Sequence, residues 1–204
     1  MLTPEQTRSI EDSVRAAEQR TSGELVVAVA TRSDDYAAPR ALAAGLVAVV
    51  FALIGQALMP WTAPTWFMLA ELPLALGCYW LLGANQLLRV VTPRALRDER
   101  VDARALQVFA ERGIADTRER SGVLIYISEA EHRVRILADR GINERVSPDE
   151  WQADVALIVE GMRTKKPAQG IVQAVERIGA LLAQSFPRRD DDVNELADEL
   201  VRVE

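Results

Sequence analysis

The sequence predicts an α/β domain, an α/β/α sandwich around a small mixed sheet, interrupted by a transmembrane helical hairpin. Three observations predict it. Residues 41–88 contain one formally charged side chain, Glu71, although charged residues make up 26% of the chain. Two short apolar runs, "ELVVAVA" and "GVLIYIS", stand on either side of that block and have the composition of strands buried on both faces. In the polar segments around them, apolar residues recur at helical spacing.

The elements follow in chain order. Thr3-Pro4-Glu5-Gln6 reads as a helix start. Thr3 caps, Pro4 suits the first helical position, and Gln6 closes a capping box. Ile10, Val14 and Ala17 mark the buried face of that helix, and Thr21-Ser22-Gly23 ends it. Glu24–Ala30 is the first strand. Beyond the uncharged block, Thr92-Pro93 starts a helix with Val101, Ala105, Val108, Phe109 and Arg112 on one stripe and Gly113 as its stop. Gly122–Ser128 is the second buried strand. Residues 132–139 alternate Arg133 and Arg135 with Val134 and Ile136, the period of a strand with one wet face. A short turn over 128–131 makes it an antiparallel partner. Ser147, Pro148 and Glu150 form a second capping box, followed by Trp151, Val155, Ile158, Val159 and Met162 on one helical face. Ile171, Val175, Ile178 and Leu182 mark a last helix, ended before Phe186-Pro187. The tail over 188–204 reads as a weak helix on Val193, Leu196 and Leu200, or as disordered chain, with Asp190-Asp191-Asp192 a solubilising spacer.

The uncharged block divides into two crossings, residues 41–59 and 65–86, around the break "PWTAP". A 19-residue helix is about 28 Å long, close to the ~30 Å hydrocarbon core of a bilayer. Trp61 and Trp66 flank the turn, as indole rings do at the lipid–water interface. The alternative is a buried hairpin in a soluble core, which a chain of 204 residues has little room to enclose. Arg32 and Arg40 precede the first crossing, Arg89, Arg94, Arg97 and Arg100 follow the second, and the turn carries no Lys or Arg. Both polar ends of this integral membrane protein are therefore expected in the cytoplasm. Residues 1–38 hold only one strand, which has no pairing partner of its own. They are expected to close with 92–187 into one discontinuous domain, the hairpin being an insertion.

Composition narrows the function. The net charge is −6 and no Lys/Arg cluster stands out, which argues against nucleic acid as a partner. Cys78 is the only cysteine, so intramolecular disulfides and sites built on several thiolates are excluded. The polar first twenty residues lack the apolar stretch of a signal peptide. Nucleophile-elbow, zinc-protease, phosphate-loop and CxxC patterns are absent from the sequence. His132, the only histidine, falls at a predicted hairpin turn and reads as an exposed turn residue. No catalytic residue is therefore assigned. Glu71 lies in the second crossing about five residues past Trp66, so about 7 Å deep by helical rise. It is either an interface-reaching or protonated carboxyl, or a polar contact to another membrane helix. Gly77, Gly83, Ala75 and Ala84 offer close helix packing nearby.

The strings "SGELVVAVATRSDDYA" (22–37), "SGVLIYISEAEHRVRILADRGI" (121–142) and "NELADE" (194–199), with Trp151 beyond the second, resemble the TPM domain family. The chain looks like the membrane branch of that family, in which a two-helix hairpin follows the first strand. The resemblance implies an α/β/α fold, calcium binding in some members, acid-phosphatase activity in plant ones, and accessory or maintenance roles for membrane complexes in others. Asp34, Asp35 and Asp139 match the family's acidic loops and are the candidate calcium ligands, since calcium needs several converging hard oxygens. Where the family often carries an Asn or Asp pair before the second strand, this chain has Arg120-Ser121. The plain reading of the three carboxylates is solvated loop and cap residues. The expected function is a membrane-anchored α/β module that binds or maintains a membrane protein complex without catalysis. The alternatives are a calcium-dependent or acid phosphatase, and an oligomeric channel or transporter component.

Overall fold

The computed structural model of the chain describes residues 2–189, 191 and 194–203. Two compact units emerge, one of Met1–Thr31 with Val101–Glu204 and one of Arg32–Arg100. The second is an insertion in the sequence of the first.

In the discontinuous unit, α1 (Pro4–Glu18) starts at the reciprocal capping box, with the Thr3 hydroxyl accepting from Gln6 N at 3.2 Å and Gln6 Oε1 accepting from Thr3 N at 2.9 Å. β1 (Glu24–Ala30) is followed, after the insertion, by α5 (Arg94–Glu111), whose last turns belong to this unit. Gly113 stops α5 with a left-handed backbone, φ 64°, and a 3-10 turn over Ile114–Asp116 leads to β2 (Gly122–Ser128). β3 (Arg133–Ala138) returns through a turn in which His132 is exposed with φ 52°. After it come α6 (Arg140–Asn143), α7 (Pro148–Arg163), α8 (Pro167–Ser185) and β4 (Val201–Val203).

The sheet order is β3-β2-β1-β4. β1 and β2 run parallel over their full length, from Glu24↔Gly122 to Ala30↔Ser128. β3 pairs antiparallel with β2, and β4 pairs parallel with β1 over Ala28, Val29 and Ala30. Because successive side chains alternate faces, Leu25, Val27, Val123 and Ile125 pack with Ile10, Val14, Ile158, Ile178 and Leu182 from α1, α7 and α8. Val26, Ala28, Leu124 and Tyr126 pack on the opposite face with Val101, Ala105 and Val108 of α5. Helices therefore cover both faces, which is why β1 and β2 read as continuous apolar runs.

Two expectations are corrected here. The tail holds neither a weak helix nor plain disordered chain through its last residues: Val201–Val203 is a fourth strand. Its partners lie far away in sequence, so no local pattern announces it. Val193, Asp190 and Asp192 lie outside the described residues. In α7 the buried face runs through Trp151, Asp154, Ile158 and Gly161, while Val159 is exposed. α7 and α8 cross at Gly161 and Gly170, where a Cβ on Gly170 would stand 2.6 Å from the Leu157 carbonyl oxygen and 3.0 Å from Gly161 Cα.

In the inserted unit, α2 (Ala37–Leu58) and α3 (Pro64–Leu81) pack side by side, and α4 (Asn85–Val91) follows. The antiparallel arrangement is fixed at both ends. A Cβ on Gly55 would meet the Phe67 ring at 2.4 Å, and Arg40 Nη2 donates to the Tyr79 carbonyl at 2.9 Å. The α2 side of the contact is made of small residues, with Ala44 and Ala48 buried and Ala52 and Gly55 half-buried, a spacing that lets backbones approach closely. Gly77 has open space around its Cα and is not part of this contact. The second predicted crossing, 65–86, ends five residues early at Leu81. The Arg40 guanidinium, 4.2 Å from the Tyr79 ring centroid, donates to the Tyr79 carbonyl near the end of α3. The chain then tightens into Gly83 N→Trp80 O and Ala84 N→Leu81 O bonds of 3.1 Å. A Cβ on Gly83 would lie 2.5 Å from Arg40 Nη2, so a side chain there would displace the guanidinium. Among the described residues α2 is the one helix long and apolar enough, by length and composition, to cross a membrane.

Candidate functional site

At the end of the sheet where β1 and β2 begin, β3 delivers Asp139 into a cleft of about 660 Å³. Asp139 N extends the ladder by one bond to Gly122 O at 2.9 Å. Its Oδ1 accepts from Arg140 N at 2.6 Å and so caps α6, a local reason for an Asp at this place. Its Oδ2 is buried and accepts no hydrogen bond among the described residues, with Arg120 Nη1 3.9 Å away. Arg120 is held in a left-handed conformation, φ 53°, and its carbonyl accepts from Gly141 N at 3.1 Å, which ties the two walls of the cleft together. Three further arginines line or approach the rim, each already engaged. Arg140 pairs with Glu144 at 2.9 Å, Arg189 with Glu119 at 2.7 Å, and Arg145 donates to Ser185 O at 2.6 Å while lying 4.3 Å from the Phe186 ring centroid. The site thus offers one carboxylate oxygen with unused acceptor capacity inside a rim of guanidinium groups.

Two further predicted site residues, Asp34 and Asp35, follow β1 in the chain. The chain leading to Asp34 and Asp35 leaves β1 from its carboxyl end, whereas Asp139 follows β3 beside Gly122, at the amino end of β1. Asp34 belongs to the inserted unit, where its Oδ2 pairs with Arg100 at 3.0 Å and its Oδ1 accepts from Tyr36 N at 3.1 Å. Asp35 pairs with Arg32. Among the described residues no group of three or more His, Cys, Asp or Glu side chains converges so as to hold a metal ion. Each of the three candidate calcium ligands, Asp34, Asp35 and Asp139, has an arginine beside it. Glu71 is half-buried on α3 in the stripe Phe67, Glu71, Leu74, Cys78 that faces α2, rather than on the outer stripe of Leu72, Leu76 and Trp80.

Several buried polar groups escaped the sequence reading. Asp154 is inaccessible on α7 and accepts from Arg177 Nε of α8 at 2.8 Å. Burial pushes its carboxyl above the usual range and Arg177 opposes that shift. Ser128 Oγ donates to the fully buried Glu131 in the β2–β3 turn. Glu18 of α1 is pushed up to about 8, chiefly by burial, against a hydrogen bond from Leu25 N and with Asp198 and Glu24 adding to the rise. Each of these groups looks like an ordinary surface residue in a local window. Their signal lies in partners from other elements.

Residues 84–181 match the family model of the TPM domain. That segment begins just before α4 and includes α5, β2, β3, α7, most of α8 and the cleft around Asp139. The comparison with curated proteins gives no match. Among solved structures, the NMR structure of BA42 protein from the psychrophilic bacterium Bizionia argentinensis is similar, with 24% identity and a TM-score of 0.63 over 100% of this chain and 96% of that one. At that identity the likeness is one of fold.

Proposed function

We propose that the chain is a membrane-anchored, non-enzymatic α/β module, held in the bilayer by α2 and α3 as a two-helix hairpin and presenting its TPM-like unit to a membrane protein complex from the cytoplasmic side. The observation that carries this reading is the outward display of apolar side chains in the inserted unit. Leu42 is 76% exposed, Leu58 69%, Leu72 79% and Trp80 71%, and α3 buries none of its residues. Water tolerates apolar patches of only a few hundred Å² on a monomer, whereas lipid tails accept such a surface at no cost. α2 spans about 33 Å and α3 about 27 Å by helical rise, both near the bilayer core. Glu71 and Pro73 lower the apolar character of α3 on its own, and the half-buried setting of Glu71 supports a protein-facing position. The arginines flanking the hairpin support cytoplasmic termini.

The partner half of the proposal is tested by capture of the full chain from gently solubilised native membranes. A stoichiometric membrane protein that is still captured when the hairpin is exchanged for an unrelated one supports it. Recovery of the chain alone, at every detergent strength, overturns it.

A second reading, hydrolysis of a phosphate ester, is favoured by one observation, the unsatisfied Oδ2 of Asp139 within the arginine-rimmed cleft. Turnover of a generic phosphate ester by the purified chain, abolished in Asp139→Asn, supports that reading. Turnover that is absent or unchanged in the variant removes it.

A further inference from the structure

The C-terminal segment is fastened to the rest of its unit by α1, by β1, by the Arg118 amide, which donates to Glu195 Oε2 at 3.0 Å, and by the packing of Val201 and Val203. β4 adds only three residues of ladder to β1. The ties to α1 and β1 include Leu200 N to Glu11 Oε1 at 3.1 Å, Glu195 N to Glu24 Oε1 at 3.0 Å, and Arg15 Nε to Asp198 Oδ2 at 3.3 Å. Arg202 reaches Thr7 at 3.4 Å. Around the last turn of α1 these ties surround a small cavity of about 80 Å³ lined by Arg15, Glu18, Glu24, Arg188, Asn194 and Asp198.

Glu18 is the misfit in that arrangement. Its Oε1 accepts from Leu25 N at 3.0 Å, but its Oε2 is buried and accepts no hydrogen bond among the described residues. The groups that face it are carboxylates from the other two elements, Glu24 of β1 and Asp198 of the tail. The cations nearby are committed: Arg15 bridges Asp198 and Asp12, and Arg188 donates to Gln19 O at 3.2 Å. Two carboxylate oxygens that face each other share a hydrogen bond only when one of them carries a proton. Otherwise they repel in a region partly shielded from water.

We propose that residues 194–203 are a proton-latched strap: a proton on Glu18, donated toward Asp198, holds the segment against α1 and β1, and its loss to solvent releases β4 from the sheet edge. Release uncovers the outer edge of β1 over Ala28, Val29 and Ala30, and opens the cavity of about 200 Å³ that Leu200, Arg202 and Val203 close against Leu2, Val29 and Thr31.

The direction with pH follows from linkage. Burial raises the Glu18 pKa from 4.5 to about 8 with the strap closed, and opening returns it toward the ordinary value. The closed strap thus binds the proton more tightly. Its advantage is fully present below about pH 4.5, declines as pH rises toward 8, and is constant above that. Between those limits the opening equilibrium rises by up to about tenfold per pH unit.

The test is amide exchange of the full chain in detergent micelles from pH 5 to 9, expressed as protection factors so that the intrinsic pH dependence of exchange cancels. Protection of residues 194–203 is expected to fall up to about tenfold per pH unit and level off near pH 8, while β2 stays constant. Glu18→Gln, whose amide both accepts from Leu25 N and donates to Asp198 at every pH, is expected to hold the strap without pH dependence. Asp198→Asn is expected to move the midpoint to lower pH. Flat protection in the native chain, or a native-like decline in Glu18→Gln, overturns the latch. Should Glu18→Gln not fold, an unmoved midpoint in Asp198→Asn overturns it equally.

Discussion

Replacing a helical glycine by alanine ordinarily stabilises a helix by up to about 1 kcal/mol. Gly170→Ala is expected to do the reverse. An added Cβ would stand 2.6 Å from the Leu157 carbonyl oxygen, 3.0 Å from Gly161 Cα and 3.3 Å from Gly161 N. All three obstacles are backbone atoms of α7, so no side-chain rotation relieves the clash. The two helices must move apart, which loosens the packing of Ile158, Ile171 and Ala174 beneath them. Overpacking of this kind costs about 1–3 kcal/mol. Set against the propensity gain, the net loss is about 1–2 kcal/mol, or several degrees in melting temperature for a chain of this size. The assay is urea denaturation of the full chain in mild detergent, followed by helical circular dichroism. Gly161→Ala, whose Cβ would meet Gly170 Cα at 2.9 Å, is expected to destabilise similarly. The double variant is expected to cost less than the sum of the two, because one separation of the helices accommodates both methyl groups. A Gly170→Ala midpoint equal to or above that of the native chain would refute the close crossing.

Other perturbations have equally definite signs. Arg177→Ala strands the buried Asp154 carboxylate and is expected to cost about 1.5–3 kcal/mol at neutral pH. The loss should shrink below pH 4, where the carboxyl is protonated in both folded and unfolded chains, whereas Asp154→Asn should be neutral or stabilising at pH 7; denaturation midpoints at the two pH values check both. Ala48→Leu places a branched side chain where α2 and α3 touch and is expected to cost about 1–3 kcal/mol in thermal melts in micelles. Gly77→Ala, with open space around it, should be neutral in the same melts. Calcium at millimolar concentration is expected to leave the melting temperature unchanged, since Asp34, Asp35 and Asp139 are each beside an arginine. A rise would reveal a site that binds only the folded chain.

What was legible in the sequence is what is encoded locally. Both capping boxes, β1 and β2 to the residue, the Gly113 stop and the α8 stripe each rest on a window of a few residues. The insertion is also legible, because a charge-free block of that length is a composition signal that needs no partner. What was missed depends on contacts between distant segments. β4 is three residues of an acidic tail, and it becomes a strand because carboxylates of α1 and β1 accept its neighbours' amides. The early end of α3 is set by Arg40, a residue of the preceding helix. Trp151, Val155, Ile158 and Met162 of the α7 stripe pack in the core, whereas Val159 is exposed and the polar Asp154 takes an interior place beside Arg177 of α8. The candidate site divides in the same way. Asp139 is readable at the end of an alternating strand, but its unsatisfied oxygen and the guanidinium beside it come from the fold. Glu18 and Asp198 lie near opposite ends of the chain and meet only once the sheet has closed.

The lipid environment of α2 and α3 is tested most directly by extraction of native membranes with alkaline carbonate, followed by sedimentation without detergent. The chain is expected to stay with the sedimented bilayer until detergent is added. Its release into the supernatant as a dispersed, folded particle would show that water tolerates Leu42, Leu58, Leu72 and Trp80 on its surface, and would contradict the anchor.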